Sequence, residues 1–141
     1  AGWDVLGVDF SEAALARARA RLGRYADLTA CADFFALTAS PPYEAIYERT
    51  FLCALKPSLR AKYARQIANL LGPGGLLFGY FYYDDKQGGP PFAITPQELD
   101  TVLSANFERL ESTPVTDSIA IFAGKERWEV WRRRDASGGR I

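Results

Sequence analysis

Residues 1–22 read AGWDVLGVDFSEAALARARARL, a short apolar run that ends on a carboxylate and turns at once into a helical pattern. Val5, Leu6 and Val8, within residues 4–9, give the pattern of a strand covered on both faces. Ser11 stands where a hydroxyl can cap a helix running to about Leu22, and Glu12 suits the positive helix start. Ala14, Leu15, Ala18 and Leu22 form the apolar stripe of that helix, with Arg17 and Arg21 on its far, solvated face. In doubly wound sheets ligands sit at the carboxyl ends of strands, so Asp9 and Phe10 are the first candidate site residues.

The same alternation continues along the chain. Strands are predicted at residues 27–33 and 43–48, the second following the Pro41-Pro42 break. Pro57 starts a helix whose buried stripe is Leu59, Tyr63, Ile67, Leu70 and Leu71. GPGG at residues 72–75 stops it, a glycine taking the left-handed conformation at the helix end. Residues 76–83, LLFGYFYY, then read as a buried strand. Thr95-Pro96-Gln97-Glu98 is a capping box with proline at the first helical position, and Leu99, Val102, Leu103 and Phe107 form the core face of the helix it starts. Two final strands, at about 108–115 and 127–133, have no helix between them. This order predicts an α/β fold with a mostly parallel sheet, helices on both faces and an antiparallel C-terminal edge. One domain over residues 1–134 and a disordered tail over 135–141 are expected.

Composition narrows the chemistry. The chain has 141 residues, 48% of them hydrophobic, with 17 basic and 17 acidic side chains. That balance offers no field for nucleic acid or an anionic membrane and favours a small-molecule partner. No apolar run is long enough to span a bilayer and no signal-peptide pattern is present, so a cytoplasmic location is expected. The two cysteines, Cys31 and Cys53, are too far apart for a CxxC pair and read as buried small hydrophobes. Histidine is absent, which removes Ser-His-Asp and Cys-His nucleophile chemistry and histidine metal sites; no metal is expected. Methionine is absent too, even at position 1, and the chain is expected to begin inside a longer protein.

Each strand end offers a candidate. The Asp9 carboxylate can accept from both hydroxyls of a ribose, or it can simply cap the helix. Asp33, followed by Phe34 and Phe35, can accept from an exocyclic amine while a ring covers a purine face; two phenylalanines can equally be core. After the third strand, Arg49 can hold an anionic or polarised substrate with its fork of donors, or pair on the surface with Glu48 or Glu44. Residues 88–95, GGPPFAIT, can form a pocket wall or merely a connection.

Three stretches together resemble the thiopurine S-methyltransferase family of class I S-adenosylmethionine-dependent methyltransferases, with its thiol, halide and tellurite methyltransferase relatives. They are GVDFSEAALARAR (7–19), YERTFLCALKPSLRAKYARQIANLLGPGGLLF (47–78) and GPPFAITPQEL (89–99). The second is the most specific: an acid-Arg pair after a strand, a short apolar turn, a proline, and a helix ending in Leu-Leu-x-Pro-Gly-Gly. Glu48 stands where the family usually has aspartate. The resemblance implies a Rossmann-like sheet and S-adenosylmethionine as cofactor. It places Asp9 and Phe10 at the cofactor ribose, Ala32, Asp33 and Phe34 at the adenine, and Glu48 on the cofactor side. It gives Arg49 the acceptor end and the one catalytic role, with Pro91 and Phe92 lining or covering the acceptor pocket. The acceptor it implies is a thiol or a related sulfur, selenium, tellurium or halide species.

The family's first strand and glycine-rich loop have no counterpart here and are expected before Ala1. That strand would sit between those ending at Asp9 and Glu48, so its loss would leave free strand edges, open to self-association, and this chain by itself is expected to be inactive. Two other readings compete. A nicotinamide-dependent oxidoreductase would use Asp9 equally well, although no catalytic Tyr-Lys or His element is visible. A non-catalytic assembly module would keep the sheet alone.

Overall fold

Ser11 does cap the first helix: its Oγ accepts from the backbone N–H of Ala14 at 3.3 Å, and α1 runs Glu12–Leu22. Gly23 closes it in the left-handed region, at φ 55°, where a side chain would be strained. The computed structural model describes residues 2–135, so all of the expected tail beyond Asp135 lies outside the described residues. The chain divides into two compact units, Ala1–Thr38 and Ala39–Ile141.

In the first unit, β1 (Gly7–Asp9) pairs in parallel with β2 (Thr29–Cys31), Asp9 opposite Cys31. Arg19 ties α1 to β2: its Nε–H donates to the Thr29 hydroxyl at 2.8 Å and its Nη2 to the Thr29 carbonyl at 3.3 Å. Both strands are shorter than expected. Residues 4–6 lie outside β1, and Val5 and Leu6 are exposed, because a strand paired on one side only lacks the neighbours that would cover both faces. Residues 27–28 belong to a 3-10 turn, Gly23–Leu28, rather than to β2. Of the apolar stripe on α1 only Leu15 is buried, and Leu22 is exposed. Cys31 is exposed too, contrary to its reading as a buried hydrophobe: it ends β2, with its thiol donating to the Phe10 carbonyl at 3.6 Å.

In the second unit β3 (Tyr43–Arg49), β4 (Leu71–Tyr82), β5 (Phe107–Pro114) and β6 (Glu126–Arg133) form one sheet in the order β3-β4-β6-β5. β3 and β4 are parallel, and β6 runs antiparallel to both β4 and β5, the expected C-terminal edge. Pro57 opens a 3-10 turn that leads into α2 (Arg60–Leu70), and Pro96 opens α3 (Pro96–Leu103). The capping box forms as expected. The Glu98 N–H donates to the Thr95 hydroxyl at 3.2 Å and the Thr95 N–H to the Glu98 carboxylate at 2.8 Å. Tyr63 and Ile67 from α2, Leu99 and Leu103 from α3, and Leu77 and Phe81 from β4 are all buried in the core. Phe107 is buried as well, but as the first residue of β5 rather than on the face of α3.

The helix stop at GPGG works differently from the expectation. Leu71, not a glycine, caps α2, and its backbone is already extended (φ −86°, ψ 144°), so β4 begins there. GPGG is absorbed as an irregularity within the strand. The pairing passes from Tyr43–Leu71 to Ala45–Leu76, and Gly74 takes the left-handed conformation at φ 73°. Further along β4, Gly79 lies opposite Glu48, so close that a Cβ would collide with the Glu48 carbonyl oxygen. That close approach fixes the carboxyl end of β3, where the acid-Arg pair stands. No helix among the described residues is long and apolar enough to cross a membrane.

Candidate functional site

The first unit gathers its candidates at the carboxyl ends of two paired parallel strands. Asp9 is half-buried, and its Oδ1 accepts from the Ser11 N–H at 2.8 Å, which fixes the turn into α1. Among the described residues nothing donates to Oδ2. The capping role thus occupies one oxygen of the carboxylate and leaves the other unclaimed. The Ala32 N–H donates to the Asp9 carbonyl at 3.0 Å, locking the two strand ends together. Asp33 follows and caps the 3-10 turn Phe34–Ala36 by accepting from the Phe35 N–H at 2.8 Å. Phe34 is half-buried edge-on to Phe35, and Phe10 projects with 79% of its surface exposed. A half-buried carboxylate with an unclaimed oxygen, a second acid and an exposed ring suit the sugar and base of an adenosine. Oriented backbone and Asp9 together give donors and acceptors without any metal-ligand cluster among the described residues.

The second unit builds its candidates at the end of β3. Arg49 is exposed, and its guanidinium carbon lies 4.5 Å from the centre of the Tyr80 ring. No carboxylate among the described residues is within ion-pair distance of it, so the alternative of a surface pair with Glu48 or Glu44 is not realised. Thr50 follows with φ 59°, the one described non-glycine residue in the left-handed region and a strained place for a β-branched side chain. The reversal at Thr50 brings the chain back over Glu48, whose Oε1 accepts from the N–H groups of Phe51 at 2.7 Å and Leu52 at 3.0 Å.

Glu48 is buried, 4% exposed. Burial pushes its carboxyl up to about 7; the two N–H donors act against this, and the like charge of Glu126 on β6 adds to it. Burial likewise raises the Cys53 thiol to about 11 and, more strongly, the Tyr63 hydroxyl. Pro91 and Phe92 are half-buried, and the Phe92 N–H donates to the Cys53 carbonyl at 2.6 Å, which holds the GPPF segment against the turn after β3. Glu48, Thr50, Arg60, Tyr80, Tyr82 and Phe92 line one small pocket.

Arg60 escaped the sequence reading. It sits in the first turn of α2, where a cation opposes the helix dipole, and that misplacement was the available signal. It is buried, donates from Nη2 to the Ala93 carbonyl, and lies 3.9 Å from the Glu98 carboxylate; its Nε has no hydrogen-bond partner. Glu126 was missed as well: it is buried with Oε2 unpartnered, and a lone glutamate in a strand carries no sequence signal. A third buried acid, Glu129, is by contrast fully engaged. It accepts from the Tyr83 hydroxyl at 2.6 Å, the Ser112 hydroxyl at 2.9 Å and the Trp131 indole at 2.8 Å, which makes it a structural tie of the sheet.

Comparison with known proteins agrees with the resemblance. A family model described as thiopurine S-methyltransferase matches residues 1–135. A probable thiol methyltransferase 2 of Arabidopsis thaliana is 27% identical over 135 residues, which cover 92% of this chain and 60% of that protein. A thiopurine S-methyltransferase of Pseudomonas fluorescens is 45% identical over 73 residues, 49% of this chain and 34% of the relative. The chain thus spans about three-fifths or less of these relatives. Among solved structures, Burkholderia thailandensis 1,6-didemethyltoxoflavin-N1-methyltransferase, with bound 1,6-didemethyltoxoflavin and S-adenosylhomocysteine, superposes with a TM-score of 0.71 at 20% identity. The match covers 95% of this chain and 63% of that one. The last likeness shows the fold, a mixed α/β architecture with an antiparallel C-terminal edge.

Proposed function

Because the chain belongs to the thiopurine S-methyltransferase family, we propose that it carries the cofactor-holding and acceptor-orienting residues of an S-adenosylmethionine-dependent methyltransferase acting on a small, soft nucleophile. S-adenosylmethionine supplies the methyl group, on a sulfonium whose departure needs no metal or redox partner. Asp9 holds the ribose through Oδ2, with the exposed Phe10 ring beside it. Ala32 and Asp33 meet the adenine edge, and Phe34 covers its face. Glu48 stands on the cofactor side, and the turn that it caps also brings it to the pocket that Phe92 lines. Arg49 orients the acceptor and favours its anionic form, while Pro91 and Phe92 wall the acceptor pocket. Once the acceptor is anionic it needs little activation, and for such an acceptor the residues contribute mainly alignment and exclusion of water.

The observation that carries this reading is Arg49, a cation exposed at the end of β3, stacked on Tyr80 and free of any carboxylate partner among the described residues. In the full-length protein, Arg49→Ala should lower methyl transfer to thiols roughly 10-fold to 100-fold while the affinity for S-adenosylhomocysteine, read by titration calorimetry, stays within about twofold. Unchanged turnover on every thiol removes Arg49 from the reaction. Binding of NADH in place of S-adenosylhomocysteine would turn the reading to an oxidoreductase, and binding of neither to an assembly module.

A further inference from the structure

Glu48 and Arg60 carry opposite charges, both are buried, and both line the pocket that also includes the Phe92 wall, yet they do not form an ion pair with each other. Each has capacity to spare. Glu48 spends Oε1 on the backbone of Phe51 and Leu52, which leaves Oε2, and Arg60 has a buried Nε–H with no partner. A buried, unsatisfied guanidinium N–H is costly, and the ordinary remedy is a bound water. The pocket has room for about one water molecule. Such a water would accept from Arg60 Nε–H and donate to Glu48. Phe92, which walls the proposed acceptor site, lines the same pocket.

We propose that Glu48 takes up the acceptor's proton, through one water held between its carboxylate and Arg60, and that this relay favours acceptors that carry a proton on sulfur over acceptors that carry none. The inference rests on the methyltransferase reading above. In the step, the S–H proton passes through the water to the Glu48 carboxylate, and the freed sulfur pair forms the bond to the methyl carbon. The bond from that carbon to the sulfonium breaks, and its electron pair stays on the departing thioether. Glu48 later releases its proton to solvent. An acid that ionises near neutrality is matched to this work, since it accepts from a thiol without holding the proton too tightly.

The groups facing Glu48 from the elements packed around it are Glu126 on β6, Cys53 in the turn that Glu48 caps, Arg60 and Tyr63 on α2, and Tyr80 and Tyr82 on β4. Cys53 and Tyr63 are raised by burial, as is Tyr82, to about 12, and all three stay protonated at neutral pH. Glu126 is the like charge coupled to Glu48.

The test compares a cysteine-like thiol with iodide, which has no proton to lose, in full-length protein carrying Glu48→Gln. The ratio of kcat/KM for thiol to that for iodide should fall about 100-fold. The rise of thiol kcat/KM with pH should move from near neutrality to the thiol's own ionisation, about 8.5. Glu48→Asp should restore most of the ratio. Independently of turnover, 13C-glutamate spectra should show one carboxyl titrating near neutrality that is lost in Glu48→Gln and moves to lower pH in Glu126→Gln. An equal loss on both acceptors, or a Glu48 carboxyl that stays ionised down to pH 5, overturns the proposal alone. No transfer to either acceptor by the unsubstituted protein overturns it together with the reading on which it rests.

Discussion

The backbone N–H of Phe92 donates to the carbonyl of Cys53 across 2.6 Å, joining the GPPF segment to the turn that follows the acid-Arg pair. Two sequence motifs separated by some forty residues thereby become one wall. The join depends on a glycine. At Gly89 an added Cβ would stand 2.5 Å from the Phe92 ring and 2.8 Å from its backbone nitrogen, a clash with backbone that a rotating side chain cannot relieve.

Gly89→Ala should therefore shift Phe92 and weaken its bond to Cys53. We expect a stability loss of about 1–3 kcal/mol by urea unfolding. On the proposed reading, KM for the acceptor rises while affinity for S-adenosylhomocysteine is retained. Full stability with an unmoved acceptor KM would show that this segment is only a connection.

The two cysteines should separate sharply in reactivity. Cys31 is exposed at the end of β2, although hydrogen bonding to Glu12, its largest influence, raises its thiol; Cys53 is buried and also raised, by burial itself. An aromatic disulfide reagent should titrate one thiol in the native protein and both in urea. Cys31→Ser should abolish the native reaction, and native labelling of Cys53 would contradict its burial.

Stability should fall as pH rises through neutrality. Glu48 has its folded value raised above the ordinary 4.5, to about 7, so the native state prefers the protonated form. The contribution is fully present below about 4.5 and is lost as pH rises through 7. It amounts to up to about 3 kcal/mol at roughly 1.4 kcal/mol per pH unit. Glu48→Gln should flatten the profile between pH 5 and 8 in urea unfolding. Asp84 acts in the opposite direction at lower pH. The Lys125 ammonium and the Tyr82 hydroxyl hold it well below its usual range, so its contribution is lost only under strong acid.

Much of this was written in local sequence. Thr95, Pro96 and Glu98 fix the start of α3 because a capping box is satisfied by backbone within three residues, and Ser11 does the same for α1. The order of elements and the antiparallel pair at the end followed from periodicity and from the missing helix between β5 and β6. Asp9, Asp33 and Arg49 stand out as candidates in the sequence because each lies at a strand's carboxyl end: Asp9 closes β1, Asp33 stands two residues past β2 and Arg49 closes β3.

Tertiary structure alone decided what these residues face. That Gly79 must yield space to the Glu48 carbonyl, that GPGG buckles a strand rather than ending a helix, and that Phe107 opens β5 all depend on pairing partners distant in the chain. Burial decided the rest: Glu48 and Glu126 were ordinary acids until the fold withdrew them from water, and Arg60 a surface cation until α2 packed down on it. Sequence sets which charges exist and which local hydrogen bonds cap them. Desolvation, which gives a charge its chemistry, is a property of everything packed around it.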